Sequence, residues 1–257
     1  MLKVEDVACG YHGIDVLSDI SFTVKTNQKI MIVGPNGCGK TTLLKAIAGL
    51  IPYKGKITLE AHDMMTFSKK ARAKKVALLS QLANIYFSYS VYETVMHGRY
   101  VHLKKTIFQG ETKADKNVVL ACLQTTGLLD LKDKNIKELS GGQLQRVFLA
   151  RVLAQEPEII LLDEPTNHLD LKYQLELMNY LDEWVRKPGR KVIGVVHDMN
   201  LALSFADEIV ILKNGKIFAK DSTHSLNLDL VNQTFETNVR SYMIQSLKKW
   251  ERKVGNE

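Results

Sequence analysis

A glycine-rich loop between an apolar segment and an amphipathic one constrains the fold of this chain most strongly. Residues Gly34–Thr41 read GPNGCGKT and fit the pattern G-x-x-x-x-G-K-[ST], in which a strand precedes the loop and a helix follows it. Glycines let such a loop curl until several backbone N–H groups point at one anion. Lys40 adds a positive charge for β and γ phosphates, and the Thr41 hydroxyl can bind Mg²⁺. A glycine-rich turn that binds nothing is the alternative, and the flanking strand and helix argue against it.

The loop and the first turn of the following helix supply the predicted nucleotide contacts. These residues are Gly34, Pro35, Asn36, Gly37, Cys38, Gly39, Lys40, Thr41 and Thr42. The helix carries Leu43, Leu44 and Ile47 on one side and stops at Gly49, so its N-terminal dipole is predicted to face the phosphates. Cys38 is small enough for its place in the loop, and a redox role for its thiol stays open as an alternative.

Short apolar runs alternate with helical patterns along the chain. The predicted buried strands are Ile30–Val33, Val76–Leu79, Ile159–Leu162, Val192–Val196 and Ile209–Leu212. This alternation predicts an α/β fold with a parallel sheet covered by helices. Alternating segments at Lys3–Val7, Ser21–Val24 and Gly55–Leu59 predict a small antiparallel sheet beside it. Between about residues 82 and 154 the pattern is helical, which indicates a helical insertion.

Two adjacent carboxylates end the apolar segment Glu158–Glu164, which reads EIILLDE. The carboxyl ends of parallel strands are where α/β proteins bind their ligands. One carboxylate can hold Mg²⁺ through water, and the other can act as a general base on an attacking water. We assign Asp163 to the metal and Glu164 to the water. A solvated turn is the alternative for an isolated strand that ends in this way, and the phosphate loop makes it weaker.

A second candidate anion site lies at Leu139–Gln143, which reads LSGGQ and precedes a helical pattern. Ser140 and Gln143 match a capping box, so a plain helix start is the simplest interpretation. A capping box does not require Gly141 and Gly142, whereas close approach of the backbone to an anion does. If the helical insertion separates this site from the phosphate loop, one chain cannot use both on a single nucleotide.

Composition excludes several classes of protein. The 257 residues are 45% hydrophobic and 25% charged, which is typical of a globular chain. No apolar run approaches the roughly 18 residues of a membrane-spanning helix, and the acidic Glu5 and Asp6 argue against a secretion signal. Three cysteines without metal-ligand spacing predict reduced thiols. The net charge of +7 is a weak indication of nucleic acid, because Lys and Arg are dispersed and the densest cluster lies in the C-terminal tail, so no nucleic-acid partner is predicted.

The order of phosphate loop, LSGGQ and the strand ending in Asp-Glu-Pro-Thr resembles an ATP-binding cassette (ABC) subunit of a transporter. The resemblance covers most of the chain, from Tyr11 to about Lys220. It implies a P-loop NTPase (RecA-like) core with a small antiparallel β subdomain and a helical insertion subdomain. It also implies an ABC ATPase domain at residues 1–221, with residues 222–257 as a C-terminal helical tail. ATP and Mg²⁺ are the implied ligands.

The resemblance assigns roles to four further positions. Tyr11 is similar to the aromatic residue that stacks on adenine, and Gln81 to the glutamine that contacts Mg²⁺ and reports to the membrane partner. Asn167–Asp170 resembles a dimer-contact loop, and His197 resembles the histidine that contacts the γ-phosphate. Without the resemblance, a loop tyrosine and a strand-end histidine are more often packing residues. The implied catalytic residues are Glu164, His197 and Lys40, and the implied nucleotide contacts from a second copy are Ser140, Gly141, Gly142 and Gln143.

In this family the LSGGQ of one subunit closes on the nucleotide of another, which implies a homodimer. Transmembrane permease subunits, and indirectly a substrate-binding protein, are the other implied partners, at the cytoplasmic face of the membrane. Segments Tyr92–Arg99 and Val196–Ala202 resemble importers of ferric siderophores, haem and cobalamin, although Tyr100–His102 lacks the proline common there. Gln28 and Lys220–Asp221 also replace glycines common in the family and predict local loop changes. Another cargo, export, or a soluble ATPase of the family remain as alternatives, and a co-purifying permease would distinguish transport.

Overall fold

Strands and helices alternate along the chain, and the computed structural model describes residues 1–80, 88–103, 111–167 and 170–254. The strands are β1 Leu2–Tyr11, β2 Ile14–Val24, β3 Lys29–Val33, β4 Lys54–Leu59, β5 His62–Asp63, β6 Val76–Ser80, β7 Ile159–Asp163, β8 Lys191–Val195, β9 Glu208–Lys213 and β10 Lys216–Ser222. The α-helices are α1 Lys40–Ile47, α2 Lys69–Lys75, α3 Val91–Met96, α4 Lys113–Thr125, α5 Gly141–Ala154, α6 Leu171–Val185, α7 Met199–Phe205, α8 Leu228–Phe235 and α9 Val239–Val254.

The larger sheet has the order β10-β9-β3-β8-β7-β6. Strands β9, β3, β8, β7 and β6 are parallel, and β10 is antiparallel to β9 at one edge. Ile30 and Ile32 of β3 pack into one apolar cluster, and Met31 and Val33 pack into the cluster on the opposite face. Both faces of the strand are covered, so its apolar run is continuous. The predicted parallel core is confirmed, with an antiparallel strand added.

The smaller sheet is antiparallel, with the order β2-β1-β4-β5. Leu17 of β2 belongs to the same buried cluster as Leu43 and Leu44 of α1. The β1–β2 hairpin therefore packs beside the helix that follows the phosphate loop. This arrangement confirms the predicted antiparallel subdomain and fixes its place next to the loop.

Helices α3, α4 and α5 surround a separate apolar cluster that includes Val95, Leu123 and Val147. Arg99, in the short 3-10 helix His97–Val101, is buried beside this cluster. Its Nε donates to Asp115 Oδ1 at 3.0 Å, and its Nη1 donates to the Ala154 carbonyl at 2.7 Å. These contacts tie α4 to the end of α5, because a buried guanidinium requires nearby acceptors. The helices lie within the predicted insertion, whose boundaries stay a prediction.

Helices α8 and α9 occupy the region predicted as a helical tail. Val231 of α8 is buried in the cluster that also contains Phe205 of α7. Lys213 Nζ, at the end of β9, donates to the Gln233 carbonyl at 2.7 Å and contacts Glu236 Oε1 at 3.2 Å. The tail therefore packs against the core. Among the described residues, no helix combines the length and apolar character needed to cross a membrane.

Two departures from the family pattern have local explanations. Gln28 is 8% exposed, and its side-chain Oε1 accepts a hydrogen bond from the Lys25 backbone N–H at 2.7 Å. The side chain thus closes the turn before β3, which a glycine cannot do. Lys220 and Asp221 lie inside β10, paired with Val210 and Ile209. At that position the backbone continues a strand and needs no glycine.

Candidate nucleotide-binding site

Three of the predicted site elements, the phosphate loop, the Asp163–Glu164 pair and His197, meet at the carboxyl edge of the larger sheet. In the register of β7 with β8, Asp163 pairs with Val195, and the Glu164 backbone N–H donates to the Val195 carbonyl at 3.1 Å. His197 follows β8 after one intervening residue. The phosphate loop leaves β3, which is the neighbour of β8 in the sheet. Parallel strands that end at one edge therefore bring the loop, the two carboxylates and the histidine together.

The phosphate loop wraps around the ammonium group of Lys40. Lys40 is only 5% exposed, and its Nζ donates to the carbonyls of Gly34 and Pro35 at 2.9 Å each. A Cβ built on Gly34 would lie 2.1 Å from the Leu212 carbonyl oxygen, so a side chain cannot fit there. Helix α1 begins at Lys40 directly after the loop. The loop is a cradle with a buried positive charge at its centre, as the motif predicts for phosphate binding.

The side chains of Thr41 and Asp163 place two oxygen atoms next to each other. The Thr41 hydroxyl donates to Asp163 Oδ1 at 2.8 Å. Burial raises the pKa of the Asp163 carboxyl, and the nearby Glu164 charge adds to this; the Thr41 hydrogen bond, Lys45 and Lys40 oppose it. Hydroxyl and carboxylate oxygens are ligands of the type that Mg²⁺ prefers. The pair fits the predicted metal role, whereas Gln81, the third predicted metal contact, lies outside the described residues.

Replacing Asp163 by Asn is expected to raise the free energy of unfolding at pH 8, measured without nucleotide or divalent ions. The amide oxygen can still accept from Thr41, and the buried charge is removed. Because the folded-state pKa is raised, the wild-type protein loses stability as the pH rises from the ordinary aspartate range through that pKa. Thermal unfolding should show a higher melting temperature than wild type at pH 8, and a smaller gain near pH 4. Asp133→Asn, at an exposed aspartate, is the control. An Asp163→Asn variant that melts no higher than wild type at pH 8 would contradict the assignment.

Both carboxylate oxygens of Glu164 are in hydrogen-bond contact with neighbouring side chains. His197 Nε2 lies 2.6 Å from Oε1, and the Asn167 side-chain Nδ2 donates to Oε2 at 2.6 Å. The Glu164 side chain retains 22% exposure, so a water molecule can reach it. A carboxylate with this access can accept a proton from an attacking water, which is the role predicted for it.

The LSGGQ segment forms the capping box expected at the start of α5. Ser140 Oγ accepts from the Gln143 backbone N–H at 3.3 Å, and Gln143 Oε1 accepts from the Ser140 backbone N–H at 3.0 Å. A Cβ on Gly142 would lie 2.5 Å from the Tyr173 ring of α6, whereas a Cβ on Gly141 would meet nothing within 4 Å. The glycine at 142 is therefore required by packing. Of these two glycines, Gly141 is the one whose backbone an anion can approach closely.

The sequence profile of the ABC transporter family matches residues 17–167, more than half of the chain. The chain belongs to the ABC transporter family. The matched region runs from β2 to Asn167 and contains the phosphate loop, the capping box of α5 and both carboxylates. The protein is thus an ATP-binding cassette, the ATP-hydrolysing unit of such transporters.

Relatives support this assignment over most of the chain. The ferric enterobactin transport ATP-binding protein FepC of Escherichia coli K12 is 37% identical over 220 residues, covering 85% of this chain and 80% of that protein. The uncharacterized ABC transporter ATP-binding protein YvrA of Bacillus subtilis 168 is 35% identical over 250 residues; these cover 96% of this chain but only 56% of the relative. A solved dimeric cassette in a post-hydrolysis state, bound to ADP and Pi, matches with a TM-score of 0.75 and 28% identity, covering 88% of this chain and 100% of that one.

Two other predicted residues of the ABC cassette can be placed. Tyr11 ends β1, pairs with Ile14 across the hairpin and is 41% exposed, which leaves ring surface free for the predicted stacking on adenine. Cys38 is 7% exposed, and burial raises the pKa of its thiol, with Lys40 opposing the shift. A thiol with a raised pKa stays protonated and is a poor nucleophile, so the structure disfavours the redox alternative.

The C-terminal tail of the cassette lines the site, which the sequence did not indicate. A cleft of about 560 Å³ lies between Asn36 of the phosphate loop, the turn at Asn214 and the end of α8 at Phe235. A second groove of about 460 Å³ runs from His197 to Tyr242 of α9, and Phe235 contributes to both. The apolar spacing of α8 indicates only that the helix packs against something. Its position beside the phosphate loop depends on the whole sheet.

Proposed function

We propose that two copies of this cassette close around two ATP molecules, each bound between the phosphate loop of one copy and residues Ser140–Gln143 of the other. The observation that carries this proposal is the start of α5. Ser140 and Gly141 are exposed, and they sit on the helical region and not on the sheet edge that holds the phosphate loop. A helix N-terminus favours an anion, and the first turn of α5 contains no acidic side chain. The solved dimeric relative bound to ADP and Pi supports the same assembly.

In this closed dimer, Glu164 accepts a proton from the water that attacks the γ-phosphate. Lys40 neutralises charge on the β and γ phosphates, and His197 contacts the γ-phosphate. Tyr11 stacks on the adenine. Thr41, Asp163 and Gln81 are the residues that would hold Mg²⁺, which supplies positive charge to the phosphates when bound.

ATP binding must favour the closed dimer over the separated copies, because only a difference in affinity moves such an equilibrium. The closing motion drives transmembrane permease subunits at the cytoplasmic face of the membrane, and through them a substrate-binding protein. The cargo is an iron-siderophore, haem or cobalamin, in keeping with the ferric enterobactin transport named for the FepC relative. We also propose that the cassette spans residues 1–221. Its helical insertion spans about residues 82–154, and the C-terminal tail spans residues 222–257.

Disulfide crosslinking between two copies tests the assembly. One chain carries Asn36→Cys in the exposed part of the phosphate loop, and the other carries Ser140→Cys; both have their native cysteines replaced and contain Glu164→Gln. We expect mixed chains to crosslink with ATP and Mg²⁺ and not without them. A cysteine at Lys25, on an exposed turn, is the control for random collision. Crosslinks between positions 36 and 140 that never form with ATP would overturn the proposed dimer.

A further inference from the structure

Two hydrogen bonds join Asn167 to Glu164. The Asn167 amide donates to Glu164 Oε2 at 2.6 Å, and the Asn167 backbone N–H contacts the Glu164 carbonyl at 3.3 Å. Glu164 itself has a left-handed backbone with φ of 52°, and its N–H is tied to Val195. A non-glycine residue held in this conformation is uncommon and is typical of functional sites. Backbone and side chain of Glu164 are thus both restrained.

We propose that Asn167 is a positioning residue for ATP hydrolysis, which orients the Glu164 carboxylate toward the attacking water. The terminal torsion of a glutamate is broad and roughly two-fold, so an unrestrained carboxylate samples many orientations. The Asn167 amide holds Oε2 and so restricts rotation of the Glu164 carboxylate. Oε1, which contacts His197, is then the oxygen that faces the attacking water. This inference rests on the proposed role of Glu164 as the base.

The chemistry of the amide suits this task. The Asn167 NH₂ group can only donate, so the contact requires an acceptor at Oε2 and is compatible with the ionised carboxylate that a base must present. Asp170, three residues further on, caps α6 through a contact of its Oδ1 with the Tyr173 N–H at 3.1 Å. Asn167 is also the first residue of the segment Asn167–Asp170 that resembles a dimer-contact loop.

The isosteric change Asn167→Asp removes the donor, keeps the size and places a negative charge against Glu164. We expect kcat to fall by roughly 30-fold, since small misplacement of a catalytic group costs on this order, with KM for ATP within about twofold of wild type. Asn167→Gln keeps an amide that can reach the carboxylate, and we expect it to retain kcat within about threefold of wild type. Steady-state phosphate release measures both variants.

A double-mutant cycle separates positioning from a purely structural role. In a Glu164→Gln background the base is already lost, so adding Asn167→Asp is expected to lower single-turnover hydrolysis no further. ATP-dependent dimerisation of that double variant, measured by size-exclusion chromatography, should equal that of Glu164→Gln alone. An Asn167→Asp variant with wild-type kcat, or one that loses only dimerisation, would overturn this inference and leave the proposed function intact. Normal turnover by Glu164→Gln would instead overturn the role of Glu164 as the base, which the proposed function assigns to it.

Discussion

Glu164→Gln is expected to reduce ATP turnover by about 10²- to 10⁴-fold, the range typical for loss of a general base, while ATP affinity stays near wild type. Glutamine has the same shape, and its amide oxygen can still accept from His197, but it cannot take a proton from water. Because hydrolysis no longer separates the copies, ATP-bound dimers should accumulate. Phosphate release, equilibrium ATP binding and size-exclusion chromatography measure the three effects.

Glu158→Gln provides a matched control for this prediction. Glu158 immediately precedes β7, and Glu164 follows the other end of that strand. The Glu158 carboxylate forms an ion pair with Lys75 at 2.6 Å, at the end of β7 opposite to the site. The same chemical change there should leave turnover within about twofold of wild type, as for most surface substitutions. Full hydrolysis by Glu164→Gln would show that another group activates the water.

Lys40→Ala is expected to weaken ATP binding by about 10- to 100-fold, the range for hydrogen bonds to a charged group. The Lys40 ammonium is buried within the phosphate loop and is held by the carbonyls of Gly34 and Pro35. From that position it can exchange those carbonyls for phosphate oxygens. Calorimetric titration with ATP in the presence of Mg²⁺ measures the change.

The control for Lys40→Ala must separate phosphate binding from support of the loop. Lys25→Ala removes the same charge from an exposed turn and should leave ATP affinity unchanged. Thermal unfolding of Lys40→Ala reports any collapse of the loop independently. An unchanged affinity for ATP in the Lys40→Ala protein would count against the phosphate-binding role of the loop.

Much of the fold was predictable because the relevant patterns are local. The run Ile159–Leu162 is apolar throughout, and the strand Ile159–Asp163 is buried at every residue. Ser140 and Gln143 matched a capping box, and both of its hydrogen bonds form. Such features depend on neighbours a few residues apart, so the sequence indicates them directly.

Other features depended on residues far apart in the chain. The glycine at 142 looked like an adaptation to an anion, but the Tyr173 ring occupies the space that a side chain would need. The tail gave little pattern of its own, and Phe235, the last residue of α8, lines the cleft beside the phosphate loop. No local spacing in the sequence predicts that Gly142 packs against Tyr173, or that Asn36 and Phe235 line the same cleft.

The sequence by itself determined the phosphate loop, the strands around it and the family, because spacing of glycine, lysine and apolar residues along a short segment dictates which backbone shapes are possible. Only the tertiary structure decided that Glu164 lies between His197 and Asn167. The physical reason is the register of β7 against β8, which sets side chains from separate segments within hydrogen-bond distance. That register depends on how side chains from many segments pack together on the two faces of the sheet, a property of the whole core and not of any one segment.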